Sequence, residues 1–176
     1  MTAAPRDRKL SDAQPTSIAN STLIALAATL LVQVGAQLFA IAVMARTYLQ
    51  APPRSFAIFE GEFGYSSGAF WDIVPMVTSV LFVAAIAANW KTRRRRLLLA
   101  SLGLFILCAV AAGVFMEPAF AEMIATGYRD TVDSALQERA AFWYRIDWSL
   151  WLATLVSGIL VLVALARPVT DGHRAS

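Results

Sequence analysis

The chain has 176 residues, of which 58% are hydrophobic and only 15% are charged, with a formal net charge of +3. This composition is too apolar for a soluble domain and favours a small integral membrane protein. Many of the basic residues lie beside apolar segments, which is typical of membrane anchoring and gives no sign of nucleic-acid binding.

Four apolar stretches are each long enough to cross the hydrocarbon core of a bilayer as a helix. We predict transmembrane spans at about 22–45, 72–90, 97–116 and 148–166. The alternation of apolar and polar residues that is typical of a membrane β-strand is not found in the sequence. The prediction is an all-α integral membrane protein whose four transmembrane helices form a bundle. Outer loops are expected at 46–71 and 117–147, and flexible tails at 1–21 and 167–176.

The basic residues predict the orientation of the bundle. With both tails and the connection around 91–96 on one face, that face carries ten basic and three acidic residues, whereas the opposite face carries five basic and nine acidic residues. By the positive-inside rule the first face is cytoplasmic, with Arg93–Arg96 as an anchor, and so are both termini. A cleaved secretory signal is the less favoured interpretation of the first span, because its apolar run exceeds the roughly 7 to 15 residues of a signal core.

Polar residues in the first span follow one stripe of the predicted helix. Thr22, Thr29, Gln33 and Gln37 are separated by seven, four and four positions. Amides that face lipid lose hydrogen bonds, so we expect Gln33 and Gln37 to face the bundle and to bond to a neighbouring helix. The alternative interpretation is that they bind a polar group of a ligand or belong to a proton path.

The 46–71 loop is rich in aromatic residues and is interrupted by glycine and proline. Such a segment can lie in the membrane interface or fold over the mouth of the bundle as a lid. Glu60 and Glu62 alone do not indicate a metal site, because an oxygen-only site needs several more ligands. After the loop, Asp72 is expected to cap the second helix, with Pro75 in its first turn.

The third span contains Cys108, the single cysteine, which we interpret as a small buried apolar residue. The single histidine, His173, lies in the predicted C-terminal tail, so neither a haem or copper ligand set nor a di-iron pattern is predicted within the spans. We expect no metal and no cofactor. At the end of the span, Glu117 precedes Pro118, which predicts that the helix bends or stops there.

The fourth helix is predicted to begin with a capping box at 134–137 and to run directly into the fourth span. Its extension beyond the span has an apolar face of Leu136, Ala140 and Trp143, which we expect the first outer loop to cover. Arg139 and Arg145 are expected to form ion pairs with acidic residues of the second outer loop.

A second stripe follows this helix. Trp143, Asp147, Trp151, Thr154 and Gly158 recur at helical spacing, which places a carboxylate between two indole rings. An acid partly withdrawn from water can accept a proton, so Asp147 is the candidate catalytic base. The alternative is a solvated acid beside an interfacial aromatic belt. Small residues four positions apart further along the helix indicate close helix packing.

Four short spans, a long first outer loop, a proline at the outer end of the third helix and Trp143 leading into the fourth resemble the anthrone oxygenase-like family of small membrane proteins. The similarity covers roughly residues 22–166. It implies a four-helix bundle and cofactor-free oxidation of polycyclic phenols by dioxygen. Where the family has a histidine, an arginine and an asparagine, this chain has Asp147, Leu150 and Phe120.

Two functions are compatible with these patterns. The first is a noncatalytic interaction or assembly subunit that docks a membrane-protein partner or a second copy through small-residue helix faces and an outer cap. The second is a cofactor-independent, oxygenase-like enzyme acting on a lipophilic aromatic molecule, with Asp147 as base, Gln33 or Gln37 orienting the ligand, and Trp143 and Trp151 as walls. The interaction subunit is slightly favoured. A transporter is less favoured, because an internal repeat is not evident.

The cellular location of the protein is predicted from its composition. Many alanines, and thirteen arginines against two lysines, are typical of a high-GC bacterium. We therefore expect a multi-pass protein of the bacterial plasma membrane, in contact with the lipid bilayer and with no nucleic-acid partner.

Overall fold

The structure is a computed structural model that describes residues 6–168, with side chains described from residue 17. It contains four helices that are long and apolar enough to cross a membrane, and these ranges include no β-strand. The prediction of an all-α protein with four candidate spans is therefore confirmed. Residues 1–5 and 169–176 of the predicted tails, including His173, lie outside the described residues.

Two of the four helices contain a π-helical segment. Helix α1 is α-helical over Arg6–Phe39, π-helical over Ala40–Ala45, and ends with the turn Arg46–Tyr48. Helix α2 spans Gly68–Ala88, after a 3-10 helix at Arg54–Phe59. Helix α3 is α-helical over Arg95–Ala111, π-helical over Ala112–Met116, and α-helical again over Glu117–Ile124. Helix α4 spans Ser134–Ala166.

Helix α1 begins well before the predicted span boundary at residue 22. Residues 6–21, which the sequence assigned to a flexible tail, are helical from Arg6 onward. The helix continues through Pro15, which has no backbone N–H and so removes one hydrogen bond, and the segment contains no glycine. The start of the apolar run is therefore not the start of the helix.

Helix α2 also begins earlier than predicted, at Gly68. The prediction that Asp72 caps this helix is wrong, because Ser67 is the N-cap residue and Asp72 lies inside the helix. Pro75 is likewise an internal residue and not part of the first turn. The added turn contains Trp71, whose ring packs edge-on against that of Phe70 at 4.9 Å.

Helix α3 continues through Pro118 to Ile124 and does not stop at Glu117. The π-helical segment lies immediately before this proline. A proline inside a helix removes one hydrogen bond and crowds the preceding turn, and a wider π-type turn accommodates this local disruption. The sequence thus indicated the position of the distortion, although the helix passes through it.

Helix α4 begins at Ser134, as predicted, but its cap is the preceding residue. Asp133 Oδ1 accepts hydrogen bonds from the backbone N–H of Ala135 at 2.9 Å and of Leu136 at 3.1 Å. Both aspartate and serine are favoured caps, and a shift by one residue changes which amides the side chain reaches. The helix then runs without interruption to Ala166.

The helices are arranged in the order α2, α1, α4, α3. Helix α1 packs extensively on α2 and α4, and α4 packs extensively on α3, whereas α2 and α3 pack on each other much less. The connection at 89–94 defines what we call the short-loop end of the bundle, and the connections at 49–67 and 125–133 define the long-loop end. The core of the short-loop half includes Leu26, Leu30, Phe82, Leu98 and Val161.

The long-loop end is closed by a second apolar cluster, in which the first loop packs against the extension of α4. Phe56 and Leu136 are buried there, and Trp143 packs against the same cluster. The Asp133 N–H donates to Pro52 O at 3.0 Å, and Gln137 Nε2 donates to Gln50 O at 3.0 Å. The predicted covering of the α4 extension is therefore confirmed.

An exposed ion pair joins α3 and α4 beside this cluster. The Arg139 guanidinium lies 3.0 Å from Glu122 Oε2, and both side chains are largely exposed. The expected ion pair is thus present for Arg139, whereas Arg145 forms none among the described residues. Because exposed pairs contribute at most about 1 kcal/mol, the apolar cluster is the stronger stabilising element at this end.

At the short-loop end, Arg94 differs from the other arginines of its run because its side chain is buried. Its Nε donates to Arg167 O at 2.8 Å, one terminal nitrogen donates to Asn20 Oδ1 at 2.6 Å, and the other bonds to Leu165 O at 3.2 Å and to Arg167 O. Burial lowers the pKa of the Arg94 guanidinium, which still remains protonated at neutral pH. Arg94 therefore joins α1 to the carbonyl end of α4.

Small residues of α4 are used inside the bundle. Ser157 and Ser101 exchange hydrogen bonds, from Ser157 Oγ to Ser101 O at 3.0 Å and from Ser101 Oγ to Ser157 O at 2.9 Å. On the neighbouring position, a Cβ atom added to Gly158 would lie 3.9 Å from Leu30 Cβ. The close approach that the sequence predicted thus holds α4 against α3 and α1.

Candidate functional site

A cavity of about 550 Å³ occupies the long-loop half of the bundle and is open to the surroundings. All four helices and the first loop contribute to its wall. Most of the wall is apolar, and its aromatic residues are Tyr48, Phe59, Tyr65, Trp71, Phe105, Phe120 and Trp143. Its size and lining are typical of a site for a small lipophilic molecule.

Gln33 and Gln37 both line this cavity and both bond to neighbouring helices. Gln33 is buried, and its Nε2 donates to Thr78 Oγ1 on α2 at 2.6 Å. Gln37 Nε2 lies 3.4 Å from Asp147 Oδ1 on α4, a long hydrogen bond. The expectation that these amides face the bundle and bond to other helices is therefore confirmed, and Gln33 is the more tightly held of the two.

Asp147 lies on the cavity wall, partly buried, opposite Gln37. Its carboxylate can accept about four hydrogen bonds, and among the described residues it accepts one, from Gln37. Acceptor positions are therefore free for a donor group of a molecule in the cavity. Asp147 is the residue of the wall best placed to orient a polar group of a ligand.

The two indoles of the predicted stripe have different positions. Trp143 lines the cavity, stacks on Phe120 with ring centroids 5.1 Å apart, and donates from Nε1 to Met116 O at 3.0 Å. Trp151 is not part of the cavity wall. Its Nε1 donates to Val34 O on α1 at 3.1 Å, so its ring is turned into the contact between α1 and α4. The expected wall position of Trp151 therefore does not match the structure.

Several wall residues were not singled out from the sequence as parts of a site. Tyr48 and Tyr65 come from the end of α1 and from the first loop, and Trp71 comes from the extra turn of α2. The density of aromatic residues in the loop was visible, but its folding against α3 depends on contacts between distant parts of the chain. Cys108, interpreted as a buried apolar residue, is only half-buried and also lines the cavity.

The ionisable residues of the wall are two carboxylic acids, two tyrosines and one cysteine. Asp147 and Glu117 contribute carboxylates, and no Lys, Arg or His is among the lining residues of this part of the chain. Over the same described residues, no three His, Cys, Asp or Glu side chains are grouped closely enough to hold a metal ion. The cavity therefore combines an apolar aromatic wall with two carboxyl groups and, among its described lining residues, no basic side chain.

No family model, no curated protein and no solved structure matches this chain. The assignment of its function therefore depends on the site itself.

The single cysteine offers a direct test that the cavity is accessible. We expect N-ethylmaleimide to label Cys108 in the protein in phosphatidylcholine nanodiscs, as measured by intact mass. Replacing the lining residue Ala112 with phenylalanine should fill the space beside it and slow labelling roughly tenfold, since core-like packing leaves little room for a reagent.

The matched control is Ala100→Phe on the same helix, at an exposed position outside the cavity wall. This variant should label at the rate of the unchanged protein. Equal labelling rates for Ala112→Phe and Ala100→Phe would show that Cys108 is reached by another path.

Proposed function

We propose that this protein binds a lipophilic small molecule, taken up from the membrane into the cavity of the long-loop half. The observation that carries the proposal is the cavity itself, about 550 Å³ in volume, with an aromatic wall and a carboxylate that has free acceptor positions. Pockets of this size with a few convergent polar groups are the usual sites of small-molecule binding.

The membrane supplies the route to such a site. Four helices long and apolar enough to span a bilayer make this a multi-pass membrane protein. The sparse packing of α2 on α3 favours entry between them, and the α2 and α3 wall includes small residues such as Gly68, Ala112 and Gly113. Towards the short-loop half, the lining residue Phe105 packs against the buried Phe82, with ring centroids 5.2 Å apart.

The proposal includes the orientation of the protein in the membrane and the membrane in which it lies. The positive-inside rule supports a cytoplasmic short-loop end with both termini on that side, so the cavity would open in the outer leaflet. The arginine-rich composition supports a bacterial plasma membrane.

An assembly subunit is the weaker proposal. Its main support was the small residues of α4, and Ser157 and Gly158 are buried within the bundle, where they hold α3 and α1. The aromatic cap likewise packs on its own chain. Docking of a partner would then depend on the lipid-facing apolar surface, which every membrane protein has.

The oxygenase-like enzyme is the second candidate, because Asp147 lies on the wall where a phenolic ligand would sit. Removing a proton from that ligand would leave an anion in a cavity with two carboxylates and, among its described lining residues, no basic side chain. Catalysis of that kind needs groups that stabilise the developing charge. We therefore favour binding over this reaction.

The proposal is tested with N-phenyl-1-naphthylamine, an uncharged aromatic probe whose fluorescence rises in apolar surroundings. Nanodiscs that contain the protein should show saturable binding beyond partition into empty nanodiscs, and the probe should slow the labelling of Cys108. Ala112→Phe should weaken the saturable component about tenfold, equivalent to roughly 1.4 kcal/mol, whereas Ala100→Phe should not change it. A linear signal equal to that of empty nanodiscs, with no protection of Cys108, would overturn the proposal.

A further inference from the structure

The charge of the cavity wall restricts the class of molecule that the cavity can hold. Asp147 and Glu117 are the two carboxylates of the wall. Glu117 is exposed at the start of the last α-helical part of α3, and Asp147 lies deeper, beside Gln37. Neither carboxylate forms an ion pair with an Arg or Lys among residues 17–168, where Arg139 with Glu122 is the pair present.

Helix ends add smaller partial charges of both signs. The N-terminus of α2 at Gly68 lies on the wall and contributes a partial positive charge, but the wall also includes Tyr48 and Ile124, at the C-terminal ends of α1 and α3. A helix end is equivalent to about half an elementary charge, positive at the N-terminus and negative at the C-terminus. The two C-terminal ends offset the single N-terminal end, so the full charges of the carboxylates decide the sign.

The aromatic residues of the wall also favour a positively charged ligand. Seven rings line the cavity, and two of them, Trp71 and Trp143, are indoles. The faces of aromatic rings attract cations, and indole does so most strongly. An aromatic wall next to a carboxylate is the arrangement that accommodates a quaternary or protonated amine, because the rings replace part of its hydration and the carboxylate compensates its charge.

We propose that the ligand of this cavity is a lipophilic cation, an aromatic or alkyl ammonium compound whose charged group lies between Asp147 and the aromatic wall. This inference depends on the proposed function, since it names the ligand class of the same cavity. An anion of equal size would meet two carboxylates without a compensating basic group, and an uncharged molecule would leave Asp147 without an opposite charge.

The test compares two probes of the same shape and opposite charge. Tetraphenylphosphonium and tetraphenylborate are offered to the protein in phosphatidylcholine nanodiscs, at equal concentrations in the lipid as fixed by partition into empty nanodiscs. Binding is measured by equilibrium dialysis and by protection of Cys108 from N-ethylmaleimide. We expect the cation to bind at least about tenfold more tightly than the anion, since the carboxylates act across a wall of low polarity.

Two variants assign the selectivity to the carboxylate. Asp147→Asn keeps the size of the side chain and should weaken tetraphenylphosphonium binding about tenfold, while tetraphenylborate binding becomes tighter. The matched control, Glu62→Gln, removes one negative charge from an exposed position of the first loop outside the wall and should change neither.

The outcomes separate the two proposals. Equal or tighter binding of tetraphenylborate by the unchanged protein would overturn the cation inference, and this measurement does not depend on the folding of any variant. Unchanged cation binding in folded Asp147→Asn would also overturn it. If the uncharged probe binds while charge selectivity is missing, the cavity is a ligand site of another class. If no probe protects Cys108, the proposed function itself fails.

Discussion

Replacing Arg94 with alanine is expected to destabilise the protein by about 3 kcal/mol, since hydrogen bonds to a charged group contribute more than neutral ones and their loss leaves buried partners unpaired. Arg94 is 3% exposed, and its guanidinium bonds to Asn20, Leu165 and Arg167. Without the guanidinium, the backbone carbonyl groups at the C-terminal end of α4 lose their hydrogen-bond donors, and the link between α1 and α4 at this end is lost. Thermal unfolding in mild detergent, followed by near-ultraviolet circular dichroism, measures the effect.

The control for this prediction is the neighbouring residue. Arg93 is exposed in the same connection, so Arg93→Ala removes an equal charge from the same end and should change stability by at most about 0.5 kcal/mol. Arg94→Lys should lie between the two, because an ammonium cannot form the forked set of bonds that a guanidinium forms. Equal midpoints for Arg94→Ala and Arg93→Ala would show that these bonds do not contribute to stability.

Replacing Ser157 with leucine is expected to lower the free energy of unfolding by about 3 kcal/mol, because a larger side chain at a tightly packed contact forces the helices apart. Ser157 and Ser101 are both completely buried and bond to each other across α3 and α4. Ser157→Ala should cost less than about 1 kcal/mol, since hydrogen bonds between membrane helices are individually weak. The same unfolding experiment orders the three proteins.

Ser149→Leu is the matched control on the same helix. Ser149 is exposed, and its hydroxyl bonds to Arg145 O in its own helix. Leucine at that position should be tolerated with little change in the unfolding midpoint. A midpoint for Ser157→Leu as high as that for Ser149→Leu would contradict close packing at this contact.

The number and type of the helices could be predicted from the sequence, because a span needs only length and the absence of charge. The residues at which the helices begin and end were harder to predict. Helix α2 gains a turn before Asp72, and α3 passes through Pro118, since packing against the rest of the bundle outweighs local signals of a few residues. The N-cap of α4 is Asp133 and not the predicted Ser134, because both residue types are good N-caps and the sequence alone does not distinguish them.

Parts of the candidate site could also be predicted. The helical period placed Gln33 and Gln37 on one face of α1, and Asp147 with Trp143 on one face of α4. All four side chains line the cavity. That Gln37 bonds to Asp147 could not be read from either stripe, because the pairing depends on the relative rotation of two helices far apart in the chain. For the same reason, nothing local distinguishes Arg94 from the arginines around it.

The π-helical segments at Ala40–Ala45 and Ala112–Met116 have a consequence for the evolution of this fold. A π-type turn holds one residue more than an α-helical turn, so it is what a single inserted codon would leave in a helix. Deleting one residue from either segment would let that turn become α-helical, so the flanking parts of the helix would keep their faces. The residues that move would be the lining residues of the segment itself, Ala40 in α1 or Ala112, Gly113 and Met116 in α3. Homologous sequences with a one-residue gap at either place should therefore keep the four-helix bundle and differ in the shape of the cavity.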